Sequence, residues 1–457
     1  MAVTKHICEF GTIWNSKESL PEIPVDQFNC IHLEDKSFQS LKNFVAENND
    51  PESGIDQAFS LHRQKGKDFI RVKNFVGVIE TRQGTVIEIL PKIYNPTNPN
   101  ETEQIKQSKS ILLKMLRSLK NAPFKSIDSA HLKTSRVPII EIFISVFLQE
   151  MEILLKRGIK HFYVSQEENQ LYLKGRLVFS ENIKKNIVRR ERFYVNFDEF
   201  NANIAQNRIL KSALIYIRQK SRSSKNIRQI INLLYLFDEV KVSQNLEKDL
   251  LEINGQSRLF NHYQMVLQWA KVFLLNESFT SYKGNHLNTA IIFPMEILFE
   301  SYVAHKLRQY YPDWDIITQD RRHYLMNDLI QEQNKFRLRP DIVINTENMI
   351  VVADTKWKII DETLPHLNYN ISQSDMYQLY AYGKKYQLEN KPVHLVLIYP
   401  QHENFNKPLH FEYENMLQIN VLPYEFDNEE SSISFISHLE RSFIFISLLN
   451  KLQKLWL

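Results

Sequence analysis

The chain has 457 residues, 43% of them hydrophobic and 24% charged, with a formal net charge of +4. It is too long for one ordinary domain, and its composition excludes disordered, collagenous and low-complexity classes. Two cysteines, Cys8 and Cys30, are too few for a disulfide scaffold or a four-thiolate zinc site. They are expected as reduced thiols in a cytoplasmic protein. The start, MAVTKHICEFGTIW, has no long apolar stretch, so no signal peptide is expected. No run of about 18 uncharged apolar residues occurs, so no membrane span is expected. A charge this mild permits nucleic-acid binding only through local basic patches.

Three regions are expected: a mixed, strand-rich region over 1–122, a mainly helical one over 123–282, and an α/β domain over 283–457. In the first, FIRVKNFVGVIETRQGTVIEILPKI alternates on both sides of Arg82-Gln83-Gly84, which predicts a hairpin turning at Gly84 and ending at Pro91. NPTNPN at 95–100 is a loop by its prolines and asparagines. TEQIKQSKSILLKMLRSLK then has helical spacing. In the second, PIIEIFISVFLQEMEILLKRG predicts a helix from Pro138 to Gly158. FYVSQEENQLYLKGRLVF reads as a strand pair, followed by two helices. In the third, a helix starts near Pro294, and strands follow around 314–318, 336–345 and 350–358. A helix over 373–387 and a buried strand over 393–400 complete an α/β pattern with a central mixed sheet. The apolar run at 432–457, broken by Glu440, Arg441 and Lys451, reads as an amphipathic helix on a core.

Charge interrupts the apolar strands at chosen points. Asp354 and Lys356 share one strand face, because successive side chains alternate. Asp341 opens the preceding strand, with 12 residues between it and Asp354. A hairpin can bring the start of one strand beside the end of the next, so the two carboxylates would converge with the lysine beside them. Burying two carboxylates together costs several kcal/mol unless a cation lies between them. Oxygen ligands suit Mg²⁺, which takes one or two carboxylates plus water and phosphate oxygens. Lys356 would position a water or steady a phosphate. These are the parts for hydrolysing a phosphodiester.

Pro340-Asp341 followed by Asp354-Thr355-Lys356 resembles the PD-(D/E)xK nuclease motif. Glu300, on an upstream helix, stands where that superfamily often places a further carboxylate. Gln378 and Tyr382, one helical turn apart, resemble the Q-x-x-x-Y helix of one of its branches. The likeness extends along the chain. VGVIE and GTVIEILPKI, LKGRLVF with NANIAQNRILKSAL, and FESYV, RPDIVI, ADTKWK and DMYQLYAY are similar, in order, to the McrC family, the nuclease subunit of GTP-dependent, modification-dependent restriction systems.

That resemblance implies a C-terminal restriction-endonuclease-like domain acting on double-stranded, methylated DNA in defence. It implies Mg²⁺ on Asp341 and Asp354, with the Thr355 carbonyl as a further ligand. Lys356, Glu300 and Gln378 complete the catalytic set. It also implies a partner, a hexameric AAA+ GTPase ring that the N-terminal region contacts and stimulates, and pairing of nuclease domains to cut both strands. The chain has no G-x-x-x-x-G-K-[ST] loop, so nucleotide energy would come from that partner. Arg321, Arg322, Lys335, Arg337 and Arg339 flank the motif and are expected to follow phosphates. Basic clusters at 184–192 and 218–228 are equally readable as solvated helix faces. Two other readings stand beside this one: a non-catalytic scaffold that activates an NTPase ring, and a self-sufficient repair nuclease.

Overall fold

The alternating segments at the start of the chain form short strands: β1 (Thr4–Cys8), β2 (Thr12–Asn15), β3 (Cys30–Leu33), then α1 (Asp35–Glu47), β4 (Phe59–Gln64), β5 (Lys67–Val72), β6 (Phe75–Thr81) and β7 (Val86–Leu90). The hairpin expected at Gly84 is β6–β7, with Gly84 at φ +81°. The run before it is cut at Lys73-Asn74, so β5 joins a separate sheet of order β3-β2-β5-β4. Pro91 follows β7 because it has no N–H for the ladder. Next comes α2 (Glu101–Arg117), capped by the Asn100 side chain, which accepts from the Thr102 N–H at 3.1 Å. Lys109 of α2 reaches the fully buried Glu88 of β7 at 2.8 Å, and His6 of β1 approaches the same oxygen at 3.1 Å. Burial works against the Glu88 charge, yet His6 and Lys109 outweigh it and hold the carboxyl below its usual range. This buried pair fastens α2 to the sheet.

This computed structural model describes residues 4–17, 27–48, 58–92, 100–120, 122–127, 137–254, 258–275, 287–346, 349–387, 391–413 and 417–426. Most of the 95–100 loop and the whole apolar run at 432–457 lie outside them. Contacts divide the chain into two units: residues 1–125, 132–136 and 279–457 form one, and 126–131 with 137–278 form the other.

The second unit is mainly helical, with α3 (Ile139–Lys156), β8 (Phe162–Gln170), β9 (Arg176–Leu177), α4 (Phe179–Asn186), β10 (Phe193–Asn201), α5 (Ala205–Lys220), α6 (Ser224–Leu236), α7 (Leu246–Asn254) and α8 (Gln264–Leu274). Pro138 caps α3, and Gly158 follows it at φ +81°. Phe143 and Phe147 of α3 pack on Trp269 and Phe273 of α8. The buried Glu141 accepts from Ser221 Oγ and Asn226 Nδ2, both at 2.8 Å, and so pins the α5–α6 turn. The strand pair expected over 162–179 needs correction. β8 and β9 do not pair with each other; both flank β10, which lies later in the chain and matches β8 along its whole length.

The first unit resumes with β11 (Leu287–Pro294), α9 (Met295–Tyr310), β12 (Asp315–Thr318), β13 (Tyr324–Asp328), β14 (Gln333–Arg337), β15 (Ile342–Asn345), β16 (Ile350–Thr355), α10 (Gln373–Tyr386), β17 (Val393–Pro400), β18 (Leu409–Tyr413) and β19 (Leu417–Tyr424). Six of these strands form a mixed sheet of order β12-β15-β16-β17-β19-β18. β16, β17 and β19 run parallel at its centre and read as nearly continuous apolar runs, as strands covered on both faces do. α10 covers one face through Leu379, Tyr382 and Tyr386. The strand expected over 336–345 is broken at Leu338–Asp341, where Pro340 cannot donate to a ladder. β14 instead pairs with β13 as a separate hairpin. Among the described residues no helix is long and apolar enough to cross a membrane.

The three regions expected from sequence are two units because of β11. It pairs antiparallel with β6, completing a sheet of order β1-β7-β6-β11, and runs directly into α9. The N-terminal sheet and the C-terminal α/β elements therefore share one body. Gly77 makes the close approach possible. It sits in β6 at φ +140°, and a Cβ there would lie 2.1 Å from the Ile291 carbonyl oxygen. Gly77→Ala should cost about 3 kcal/mol or more, because strain and clash with backbone coincide. A thermal melt checks this; an unchanged Tm would show that β11 does not depend on that contact.

Candidate active site

The register of β15 and β16 builds the centre. Ile342 pairs with Ala353, so the next position outward sets Asp341 opposite Asp354. Directly opposed residues of an antiparallel pair stand on one face, with Cβ atoms about 5 Å apart. Asp354 is buried within β16, whose six residues are all buried. Asp341 is half-buried and held by Thr355, whose N–H and hydroxyl each donate to Asp341 Oδ2 at 2.8 Å. Thr355, expected to offer its carbonyl to a metal, is thus a clamp on Asp341.

Lys356 lies beyond the end of β16, its N–H donating to Ile398 of β17 at 2.9 Å. Its Nζ approaches Asp354 Oδ2 at 2.6 Å and donates to Gln378 Oε1 at 3.1 Å. Gln378 in turn donates to the Tyr382 hydroxyl at 2.7 Å, one turn along α10. The Gln378–Tyr382 pair therefore orients the lysine. Glu300 comes from α9, and Phe299 beside it packs edge-on against Trp357 at 5.3 Å. The Trp357 Nε1–H donates to Glu9 at 2.6 Å, tying the segment after β1 to the residue next to Lys356. Burial pushes that Glu9 carboxyl up to about 7.

Two participants escaped the sequence reading. Gln319 follows β12 at φ +54°; its backbone N–H donates to the Asp341 carbonyl, and its side-chain amide donates to Asp341 Oδ1 at 3.2 Å. The same side chain hydrogen-bonds Glu300, so it spans two carboxylates. Nothing in its sequence context signals this. Asp375 is buried on α10, holds Lys358 at 2.8 Å and lies 4.0 Å from Lys356. It precedes Gln378 by three residues, so helical spacing could have found it.

The expected phosphate-following residues differ in placement. Arg339 is exposed and close enough to Glu300 to lower its pKa. Arg321 is exposed at the foot of the β13–β14 hairpin. Arg322 is engaged by the buried Asp320 at 2.7 Å, and Asp320 also accepts from the Tyr386 hydroxyl at 2.6 Å. Arg337 stacks on Tyr324 with 4.9 Å to the ring centre, and Lys335 bonds Gln331 and Gln333. These last two decorate the hairpin. The clusters at 184–192 and 218–228 belong to the other unit.

The electrostatics fit a site that lacks positive charge. Burial, then the Glu300 charge, raises Asp341 to about 6 against the pull of Thr355. Burial, then the Asp341 charge, raises Asp354 to about 7 against the pull of Lys356. Glu300 is raised by burial, with Asp354 adding to the shift. Burial would lower Lys356, but Asp354 outweighs it and the ammonium is favoured. Among the described residues no group of three or more His, Cys, Asp or Glu side chains stands close enough to hold a metal. Two opposed aspartates nonetheless supply the one or two carboxylates that Mg²⁺ requires, and their oxygen donors match that ion.

A pH dependence follows. Groups raised on folding bind more protons in the folded chain than in the unfolded one. Their contribution to metal-free stability is present on the acid side and lost as the pH rises through about 6 and 7. The Tm of Asp354→Asn relative to the unsubstituted chain should therefore rise between about pH 5 and about pH 8. Excess Mg²⁺ should raise the Tm of the unsubstituted chain at the higher pH and leave Asp354→Asn unmoved. Equal Mg²⁺ responses in both chains would remove Asp354 from any metal site.

Residues 70–400 match the family described as McrBC 5-methylcytosine restriction system component. Among solved structures, the chain is similar to a half-complex from the tetradecameric assembly of Thermococcus gammatolerans McrB AAA+ hexamers with bound McrC. The identity is 18% and the TM-score 0.65, over 96% of this chain and 100% of that one. A cryo-EM structure of the Thermococcus gammatolerans McrBC complex also matches at 18% identity and TM-score 0.46, over 67% of this chain and 87% of that one. No curated protein matches. The first likeness is one of fold, and the family match covers well over half of the chain: the chain belongs to the McrBC 5-methylcytosine restriction system component family.

Proposed function

We propose that this chain is the nuclease subunit of a McrBC-like restriction complex, hydrolysing DNA phosphodiester bonds with Mg²⁺ and stimulating a partner AAA+ GTPase. The observation that carries the reading is Asp341 opposite Asp354, with Lys356 on Asp354 and Gln378 on Lys356. A structural pair needs no third member on the lysine and would not crowd a further carboxylate, Glu300, into the same field. In this reading Asp341 and Asp354 hold the ion. Mg²⁺ held there would supply Lewis-acid stabilisation of the phosphate charge and would make a nearby water more acidic. Thr355 and Gln319 fix Asp341 in place. Lys356, aimed by Gln378, orients the attacking water and meets the charge that develops on the phosphate. Glu300 stays at the edge of the set, held by Gln319.

The partner enters by likeness. The Thermococcus gammatolerans structure contains McrB AAA+ hexamers with bound McrC. This chain is proposed to dock on such a GTPase ring, which would bring it to DNA, and to pair its nuclease domains for double-strand cleavage. The methylated base named in the family description would be read by the partner.

Asp354→Asn and Lys356→Ala should each reduce DNA cleavage to background with Mg²⁺ in excess. Gln378→Ala, which acts through Lys356, should lose about 10- to 100-fold. All three should still raise the GTPase rate of the ring. Cleavage by Asp354→Asn at the unsubstituted rate would reject the active-site reading and favour a scaffold.

A second outcome concerns control. The chain alone with Mg²⁺ should cut DNA hardly at all, since a net charge of +4 neutralises few phosphates at once. Addition of the ring and GTP should switch cleavage on. Efficient multiple-turnover cutting of linear and circular DNA by the chain alone would mean a self-sufficient nuclease.

A further inference from the structure

A second group of polar side chains lies beside the candidate centre, linked to it by the charge interaction of Lys120 with Glu300. Thr318 ends β12, one residue before Gln319, and pairs across the sheet with Ile342, next to Asp341. Its hydroxyl oxygen accepts from Lys120 Nζ at 3.1 Å and from Arg308 Nη2 at 3.2 Å. Lys120 lies just past α2, and Arg308 lies on α9, two turns beyond Glu300. Two cations thus share one neutral oxygen. Among the described residues neither forms an ion pair with a carboxylate.

Such an arrangement is short of an acceptor. A threonine hydroxyl has two lone pairs and one proton. Both lone pairs here are directed at cations, so the proton must be given outward. Lys120 keeps two N–H donors, and Arg308 keeps more beyond its bonds to Thr318 and the Ile316 carbonyl. No carboxylate lies within ion-pair distance of these donors among the described residues, and Glu300 acts on Lys120 only through its charge. Burial and then Arg308 disfavour the Lys120 ammonium; the Glu300 charge opposes them, Lys125 adds to them, and the balance lies against the ammonium. The nearby His305 is depressed by burial and then by Lys306, Lys125, Arg117 and Arg308. A phosphate oxygen would accept from all three groups and relieve the repulsion.

We propose that Lys120, Arg308 and Thr318 form a phosphate-binding site on the flank of the candidate centre, holding a phosphodiester of the strand being cut. This rests on the nuclease reading and adds to it. Arg308 lies eight residues along α9 from Glu300, or about 12 Å along the helix axis, a few nucleotides at roughly 3.4 Å rise each. The strand would then be gripped at a second point away from the scissile phosphate. One grip comes from the N-terminal part of the chain, so the nuclease site is complete only when α2 is docked on its sheet.

Lysine acylation footprinting tests this directly. The full chain carrying Asp354→Asn is labelled at low salt with and without a short DNA duplex, at a duplex concentration shown by titration to saturate binding, and protection is read residue by residue by mass spectrometry. Protection of Lys120 together with Lys335 and Lys356 is expected. Protection of Lys335 and Lys356 without Lys120 would overturn the inference and leave the nuclease reading standing. Protection of none would defeat both. Inorganic phosphate and GTP alone form separate arms; protection of Lys120 by either of them but not by the duplex would make this a small-phosphate site and reject the strand path. In parallel, Lys120→Gln should weaken duplex binding severalfold and lower the slope of log affinity against log salt by about 0.9, the loss of one phosphate contact. Lys407→Gln, on an exposed loop, should change neither. An unchanged slope for Lys120→Gln would also overturn the site.

Discussion

Two carboxylates forced together at the end of an apolar strand set the terms for the rest of this molecule. Asp341 and Asp354 oppose each other because the β15–β16 ladder admits one register, in which every apolar side chain of β16 stays buried. A slip of one residue would turn Asp354 to the other buried face, away from Asp341 and Lys356, and leave its charge there without a partner. The core therefore enforces a repulsion that it does not relieve. Relief is local: Thr355 and Gln319 donate to Asp341, and Lys356 faces Asp354. The carboxylates still stay well above their usual range, so an added cation would be stabilising.

Much of the surrounding structure holds these groups still. Gln378 needs Tyr382, and Tyr382 is packed because α10 covers the centre of the mixed sheet. Trp357, next to Lys356, is anchored on Glu9 and Phe299, so both the N-terminal segment and α9 bear on the site. α9 is itself placed by β11, which completes the N-terminal sheet. Through α2, the buried Glu88–Lys109 pair sets the position of Lys120. Removing one partner of such a pair leaves an uncompensated buried charge, a loss of about 3–5 kcal/mol. The N-terminal region is thus a structural component of the C-terminal centre.

Local patterns in the chain were legible where one segment satisfies its own constraints. The helices at 101–117, 139–156 and 373–386 carry periodic apolar faces and evident start or stop residues. Asp341, Asp354 and Lys356 were legible because charge inside an apolar hairpin is costly and so conspicuous. Gln378 was legible through a motif on one helix. β10 and β11 were not: each is defined by a partner strand that does not adjoin it in the chain. The break at Leu338–Asp341 was marked by Pro340, yet the residues on both sides are apolar enough to read as one strand.

By itself the amino-acid sequence determined the helices, the hairpin at Gly84, the convergence of two aspartates and a lysine, and membership of a family through ordered motifs. These depend on contacts between near neighbours or on charges whose burial has one sensible resolution. Only the tertiary structure decided that the first and third regions form one unit, that Gln319 spans Asp341 and Glu300, and that Lys120 and Arg308 meet on Thr318. Each of these joins residues far apart in the chain, and each is a polar contact with no period. Strand pairing and helix docking choose such partners, and the free energy that makes the choice lies in the packed core around them rather than in the residues themselves.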